Sequence, residues 1–250
     1  MIKSNLKLLG ADARAHTHAR GCAKRKLYIL VACEESQAEC KAFRDLGHVA
    51  FSCDIQPVIK NGVQSWHING DVTPYLQGKR SFKTQDGKHH CVPRWDLIIA
   101  HPPCTYLSKV SSVQLVSHKV ECPGNGWVWS RVLSAWLNLD RYKKMVAARS
   151  FFYTCLNAAA HYVAVENPIP MAIAKLPKPN CYACPSWYGF KYTKKTLYWL
   201  RNLPPLVAGI ENGQTKSLVR SSRGKYRSRT YPGLAKAIAE QWTNYILDDM

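Results

Sequence analysis

The chain has 250 residues, 46% of them hydrophobic, which is enough to bury a full core and sets the expectation of one large domain. Its 35 Lys and Arg against 16 Asp and Glu give a formal charge of +19, and a balance that basic points to a polyanionic partner. No apolar run is long enough to span a bilayer and the N-terminus lacks a secretory apolar segment, so a cytoplasmic protein without a membrane partner is expected; its ten irregularly spaced cysteines are expected as reduced thiols, mostly in a core.

Residues 1 to 26 hold seven Lys and Arg against one Asp with no apolar period, which predicts a basic, flexible arm. "LYILVA" (27 to 32) is a short apolar run suited to a strand buried on both faces of a parallel sheet. A helix is expected next, with Ala38, Ala42, Phe43 and Leu46 on one face and Gly47 as its stop. "VAFSCD" (49 to 54) reads as a second strand ending in Asp54, and "WHINGDV" (66 to 72) as a weaker third with Asp71 at its end. The polar stretch 77 to 94 reads as an excursion or hairpin, and "WDLIIA" (95 to 100) is the clearest strand. Residues 109 to 140, with Trp127, Trp129 and Trp136, form a long connection. Met145, Ala148, Phe152, Leu156 and Ala159 mark an amphipathic helix that feeds the strand "HYVAV" (161 to 165). A closing helix is expected with Leu234, Ile238, Trp242 and Tyr245 on one face. The alternation predicts an open α/β sheet whose ligands sit at the carboxyl ends of its strands.

The stretch "RWDLIIAHPPCTYLS" (94 to 108) carries the chemistry. Pro102 and Pro103 forbid helix and fix the backbone, holding Cys104 in a defined place at a strand's carboxyl rim. A following helix N-terminus and His101 are expected to stabilise its thiolate. From Asn167 to Arg229 the only acidic residue is Glu211, against twelve Lys and Arg with interleaved aromatics, a composition suited to stacking and phosphate contact. Cys181 and Cys184 have metal-ligand spacing but no second pair follows, and no metal is expected.

These residues carry a resemblance. "DLIIAHPPCTYLS" resembles the Pro-Cys nucleophile motif of DNA cytosine-5 methyltransferases, particularly the short bacteriophage and prophage type. "LYILVACEESQAECKAFRDLGHVAFSCDIQP" resembles that family's first strand, cofactor loop, helix and second strand; "NGDV", "AVENPIP" and "SRTYPGLAKAIAEQW" are similar to later blocks in the same order, so the resemblance covers about residues 27 to 247. It implies a Rossmann-like class I methyltransferase fold, mostly parallel with helices on both faces, in a domain spanning 27 to 250, and action in a bacterial or phage-infected cytoplasm. It further implies S-adenosylmethionine as cofactor, with Asp54 on the ribose and Asp71 on the adenine amine, and with Cys33, Glu34, Ile55, Val72 and His101 around it. Cys104, set by Pro103, would add to C6 of a cytosine, and Glu166, beside Asn167, would hold and protonate the N3 edge. Methylases of exocyclic amines carry Asp, Asn or Ser before Pro-Pro and an aromatic after it, whereas this chain has His101 and Cys104 there, which favours carbon as the acceptor.

The partner implied is DNA, duplex or single-stranded, with 167 to 229 as a short recognition segment and Lys194, Lys195, Arg223, Arg227 and Arg229 as its contacts. Two alternatives stand beside this reading: a methyltransferase-fold protein that binds nucleic acid or a nucleotide without turnover, and a free-nucleotide methyltransferase. The glycine-free loop "VACEESQ" favours the first and the short recognition segment the second.

Overall fold

The computed structural model describes residues 25–190, 192–209, 216–217 and 229–250; the predicted basic arm lies almost wholly outside the described residues. The chain runs through β1 (Tyr28–Ala32), α1 (Ala38–Asp45), β2 (Val49–Asp54), β3 (His67–Asn69) and α2 (Thr73–Leu76). The hairpin β4 (Ser81–Lys83) and β5 (His89–Cys91) follows, then β6 (Leu97–Ala100). Next come β7 (Val116–Ser117), β8 (Trp127–Ser130), β9 (Ala135–Asn138), α3 (Leu139–Leu156) and β10 (Tyr162–Pro168). β11 (Cys181–Ala183), β12 (Tyr192–Thr193), β13 (Thr196–Arg201), β14 (Lys216–Ser217) and α4 (Pro232–Asp249) complete the described elements.

Seven strands form one sheet in the order β11-β13-β10-β6-β1-β2-β3. The five from β3 to β10 are parallel, β13 runs antiparallel to β10, and β11 antiparallel to β13. The fold is therefore α/β with a mostly parallel sheet. Strand alternation sends side chains to two cores. Leu30, Ile98, Val163 and Val165 pack with Met145 and Phe152 of α3, while Ile29, Val31, Leu97 and Ala164 pack with Phe43 of α1 and Ile238 and Trp242 of α4. Because both faces are covered, β1 and β6 are continuous apolar runs, which is why they were legible in the sequence.

Four expectations need correction. The third strand is only His67–Asn69, since Gln64–Trp66 forms a 3-10 turn and β3 pairs only with the last three residues of β2. The connection 109 to 140 contains a three-stranded antiparallel sheet, β7-β9-β8, in which Trp129 and Trp136 lie directly opposite and meet edge to face at 5.5 Å. In α4 the inward row is Leu234, Ile238, Trp242 and Ile246, and Tyr245 is 38% exposed because it lies one position off that i, i+4 row. Among the nine described cysteines only Cys40, Cys53 and Cys155 are buried, and none forms a disulfide. No helix among the described residues is long and apolar enough to cross a membrane.

Phe152 is fully buried and meets Trp199 edge to face at 5.0 Å, joining α3 to β13. Phe152→Ala is expected to destabilise the protein by about 3–5 kcal/mol, read from urea denaturation.

Candidate active site

In the order β3-β2-β1-β6-β10 the chain moves outward from β1 in one direction and from β6 in the other, so the loops after these two strands diverge and open a crevice at their carboxyl ends. "CEESQ" and "HPPC" leave the sheet there.

The loop after β1 has a glycine-like backbone without glycine. Cys33 (φ 61) and Gln37 (φ 58) both take the left-handed conformation. Cys33 donates its backbone N–H to the Cys53 carbonyl at 2.7 Å. Gln37 is buried; its side chain accepts from the Val63 amide at 2.7 Å and donates to the Val63 carbonyl at 3.0 Å and Ser52 Oγ at 3.2 Å. These bonds hold a conformation that costs about 1–2 kcal/mol for a residue with a Cβ. Glu34 is buried, and its carboxylate accepts from the amides of Glu39 (2.8 Å) and Cys40 (3.3 Å), capping the first turn of α1 in place of an N-cap side chain. Burial, reinforced by Glu39, pushes the Glu34 carboxyl up to about 7. The amides that an anionic ligand would use at this helix terminus are thus already satisfied from within.

Two further acids stand on the same rim. Asp54, the last residue of β2, accepts from the Gln56 amide at 2.7 Å, and the neighbouring Ile55 is 73% exposed. Asp71 accepts from the amide and hydroxyl of Thr73 at 2.9 and 2.8 Å, and Val72 beside it is buried. Burial first, and then Cys155, Asp54 and Asp71 among the neighbouring groups, raise the Cys33 thiol well above its ordinary range, so it is a neutral wall of the crevice.

The opposite wall comes from β6. After His101, Pro102 and Pro103 turn the chain out, and Cys104 opens the 3-10 turn Cys104–Tyr106 with its side chain exposed. Its carbonyl accepts from the amides of Leu107 (3.0 Å) and Ser108 (2.9 Å). The α-helix expected after Cys104 is absent from that place: the 3-10 segments Cys104–Tyr106 and Lys109–Gln114 stand there, and the next α-helix is α3. Arg141 of α3 donates to the Thr105 carbonyl at 3.1 Å and stands 5.0 Å from the Tyr106 ring centre, bracing the turn.

β6 and β10 pair in parallel with Ala100 opposite Val165, which sets His101 beside Glu166. Beyond the strands the two segments stay joined: Ser108 bridges Pro170, Lys109 donates to the Ile169 carbonyl at 2.8 Å, and Met171 to that of Leu107 at 2.7 Å. His101 is expected from sequence to serve Cys104, yet its two ring nitrogens face carboxylates: Nε2 lies 3.1 Å from Glu39 Oε2 and Nδ1 3.6 Å from Glu166 Oε2. Burial alone would strip the proton from His101, but Glu39 and Glu166 outweigh it and hold the imidazole well above its ordinary range. Burial likewise opposes the charge on Glu166, but the neighbouring His101 imidazole and Lys194 overcome it and lower its carboxyl. Asn167, one residue on and so on the other face, is fully buried, and both side-chain amide atoms lack a hydrogen-bond partner among the described residues.

Lys194 and Arg229 line a cavity of about 10 Å³ beside Glu166, together with Thr196, Tyr198 and Thr230. Lys195 is exposed and stands 4.2 Å from the Tyr182 ring centre. Arg223 and Arg227 lie outside the described residues. The structure thus joins Cys104, His101 and Glu166 on one side of the crevice and sets Glu34, Asp54 and Asp71 along the other. The sequence reading missed Glu39, Thr230 and Arg141. For Glu39 a signal existed: it stands four residues before Phe43, so a carboxylate occupies the inward stripe of an amphipathic helix. No family model matches the chain, and no curated protein matches it.

Between its ordinary value of 6.5 and its raised folded value, His101 keeps a proton in the folded state that the unfolded chain has released. Stability from this group is therefore complete below 6.5 and lost as pH rises through the folded value. The melting temperature is expected to fall as pH is raised through that window, measured by calorimetry.

Proposed function

We propose that this chain is an S-adenosylmethionine-dependent methyltransferase that modifies C5 of cytosine in DNA. The observation that carries the reading is the β6–β10 pairing, with its continuation through Ser108 and Pro170, which joins the Cys104 turn to Glu166 at the switch point of the sheet. The doubly wound order with helices on both faces supports a Rossmann-like methyltransferase fold.

The donor set supports S-adenosylmethionine over a nucleotide phosphate. Glu34 already occupies the α1 amides, which opposes a multiply charged phosphate there. Asp54 and Asp71 would offer carboxylates to the ribose and the adenine amine, exposed Ile55 would offer apolar surface, Val72 is buried in the core behind them, and Cys33 and Glu34 would stand toward the ammonium of the amino-acid end. An acidic rim in a protein of charge +19 suits a ligand whose sulfonium and ammonium outweigh its single carboxylate. The bound cofactor supplies an electrophilic methyl group.

The protein's own residues prepare the acceptor. The Cys104 thiolate adds to C6 and makes C5 electron-rich, while Glu166 meets the N3 edge of the base and, in its protonated form, donates to it as negative charge develops there. Pro102 and Pro103 keep the thiol at one position on the rim, which limits the entropy lost in reaching the attack geometry. The cavity beside Glu166 has room for about one water, so base entry requires its lining to open. The basic recognition segment and α3 supply phosphate contacts.

A second reading, a methyltransferase-fold protein that binds nucleic acid without turnover, is favoured by the glycine-free loop after β1. The two are separated by transfer of labelled methyl to unmodified duplex and single-stranded DNA. Label at cytosine C5, abolished in Cys104→Ala, is expected; DNA binding without label in any substrate supports the second reading. Asp54→Ala is expected to raise KM for S-adenosylmethionine about tenfold or more, as follows from loss of a charged hydrogen bond, with a smaller effect on kcat.

A further inference from the structure

Glu39 is fully buried on the inward face of α1, where an apolar residue would pack against the sheet as Phe43 does one turn later. A buried carboxylate is costly unless its oxygens are met, and here both are: Oε1 accepts from Thr230 Oγ1 at 3.0 Å, and Oε2 lies 3.1 Å from His101 Nε2. His101 is 11% exposed at its side chain and spans the space between this remote carboxylate and that of Glu166 at the site. Glu166 poses a difficulty for the methylation reading, because a carboxyl lowered in this way holds no proton at neutral pH, whereas the N3 edge of the base needs one.

Resting on that reading, we propose that Glu39 is a positioning residue which, with Thr230, fixes His101 as the proton source that recharges Glu166 during methyl transfer. His101 Nδ1 passes its proton to the Glu166 carboxylate, which delivers a proton to N3 as the bond from Cys104 Sγ to C6 forms and electron density moves to N3. Glu166 is left ionised, and the neutral imidazole keeps its Nε2–H on Glu39. After C5 takes the methyl group, the C5 proton leaves to water as the thiolate departs from C6 and the ring regains aromaticity. The N3 proton returns through Glu166 to His101, so the relay is restored and the one proton released overall is that of C5. The groups facing this array are Glu34 from the loop after β1, Glu39 from α1, Glu166 from β10, Lys194 before β13 and Tyr198 within it. Arg229 lines the same cavity as Glu166. Among the described residues no group of three or more His, Cys, Asp or Glu is arranged to hold a metal ion.

The test compares the wild type with Glu39→Gln and, as a milder change that removes only one hydrogen bond, Thr230→Val. Methyl transfer is followed across pH, and His101 is titrated by NMR with labelled histidine. Glu39→Gln is expected to lower the His101 midpoint by about one pH unit or more and to move the alkaline limb of kcat by the same amount. Above neutrality kcat falls about tenfold or more, recovers on acidification, and KM for DNA changes less than about twofold. Thr230→Val is expected to shift both quantities in the same direction by less. Wild-type transfer combined with an unmoved alkaline limb in both variants, or a loss equal at every pH, overturns the relay and leaves the methylation reading intact. No transfer by the wild type, with a His101 midpoint that still responds to Glu39→Gln, overturns the methylation reading and with it the relay, and leaves a structural ion pair.

Discussion

The parallel pairing of β6 with β10, in register at Ala100 and Val165, is the constraint on which the site depends. It sets two segments some sixty residues apart in the chain side by side, and the Ser108–Pro170 bridge extends the contact past the end of the sheet. Since both strands are buried on both faces, a register slip would invert every inward side chain and drive His101 and Glu166 to the other core. The site is thus held by the same apolar burial that holds the sheet, and its polar members are carried to the crevice by strand geometry.

Electrostatically the protein is divided. Its overall balance is strongly basic, yet Glu34, Glu39, Asp54, Asp71 and Glu166, five of the sixteen acidic residues, stand at the carboxyl rim of the parallel strands. Each is stabilised differently. Glu34 caps α1, Asp54 and Asp71 close local turns, and Glu39 and Glu166 share His101. A carboxylate used to cap a helix cannot also bind a phosphate, so this arrangement separates the crevice from the dinucleotide sites that occupy the same place in other doubly wound sheets.

The loop between β1 and α1 shows how local strain is balanced. Left-handed backbone at Cys33 and Gln37 is unfavourable for residues bearing a Cβ, but Gln37 recovers it through three side-chain hydrogen bonds that tie the loop to Ser52 and Val63. A glycine would relieve the strain and lose the ties. The loop thereby becomes a fixed wall.

The sequence by itself determined the strands β1, β2 and β6, the helices α1, α3 and α4, and the place of Cys104 at a strand's end, because apolar period and proline geometry are local properties. It left the β7-β9-β8 sheet unread: the Trp129–Trp136 pair that stabilises it forms only once two strands are paired, and pairing is not a property of either segment alone. It placed Glu34 and His101 at the site but misjudged their partners. A capping carboxylate and an imidazole between two acids are defined by neighbours five to sixty-five residues away. Glu39 was legible only as a charge on the wrong face of a helix; its meaning required Thr230, brought from the far end of the chain by the packing of α4 on α1. Only the tertiary structure decided which buried charges are paired, since a desolvated carboxylate persists only where the fold delivers its partner.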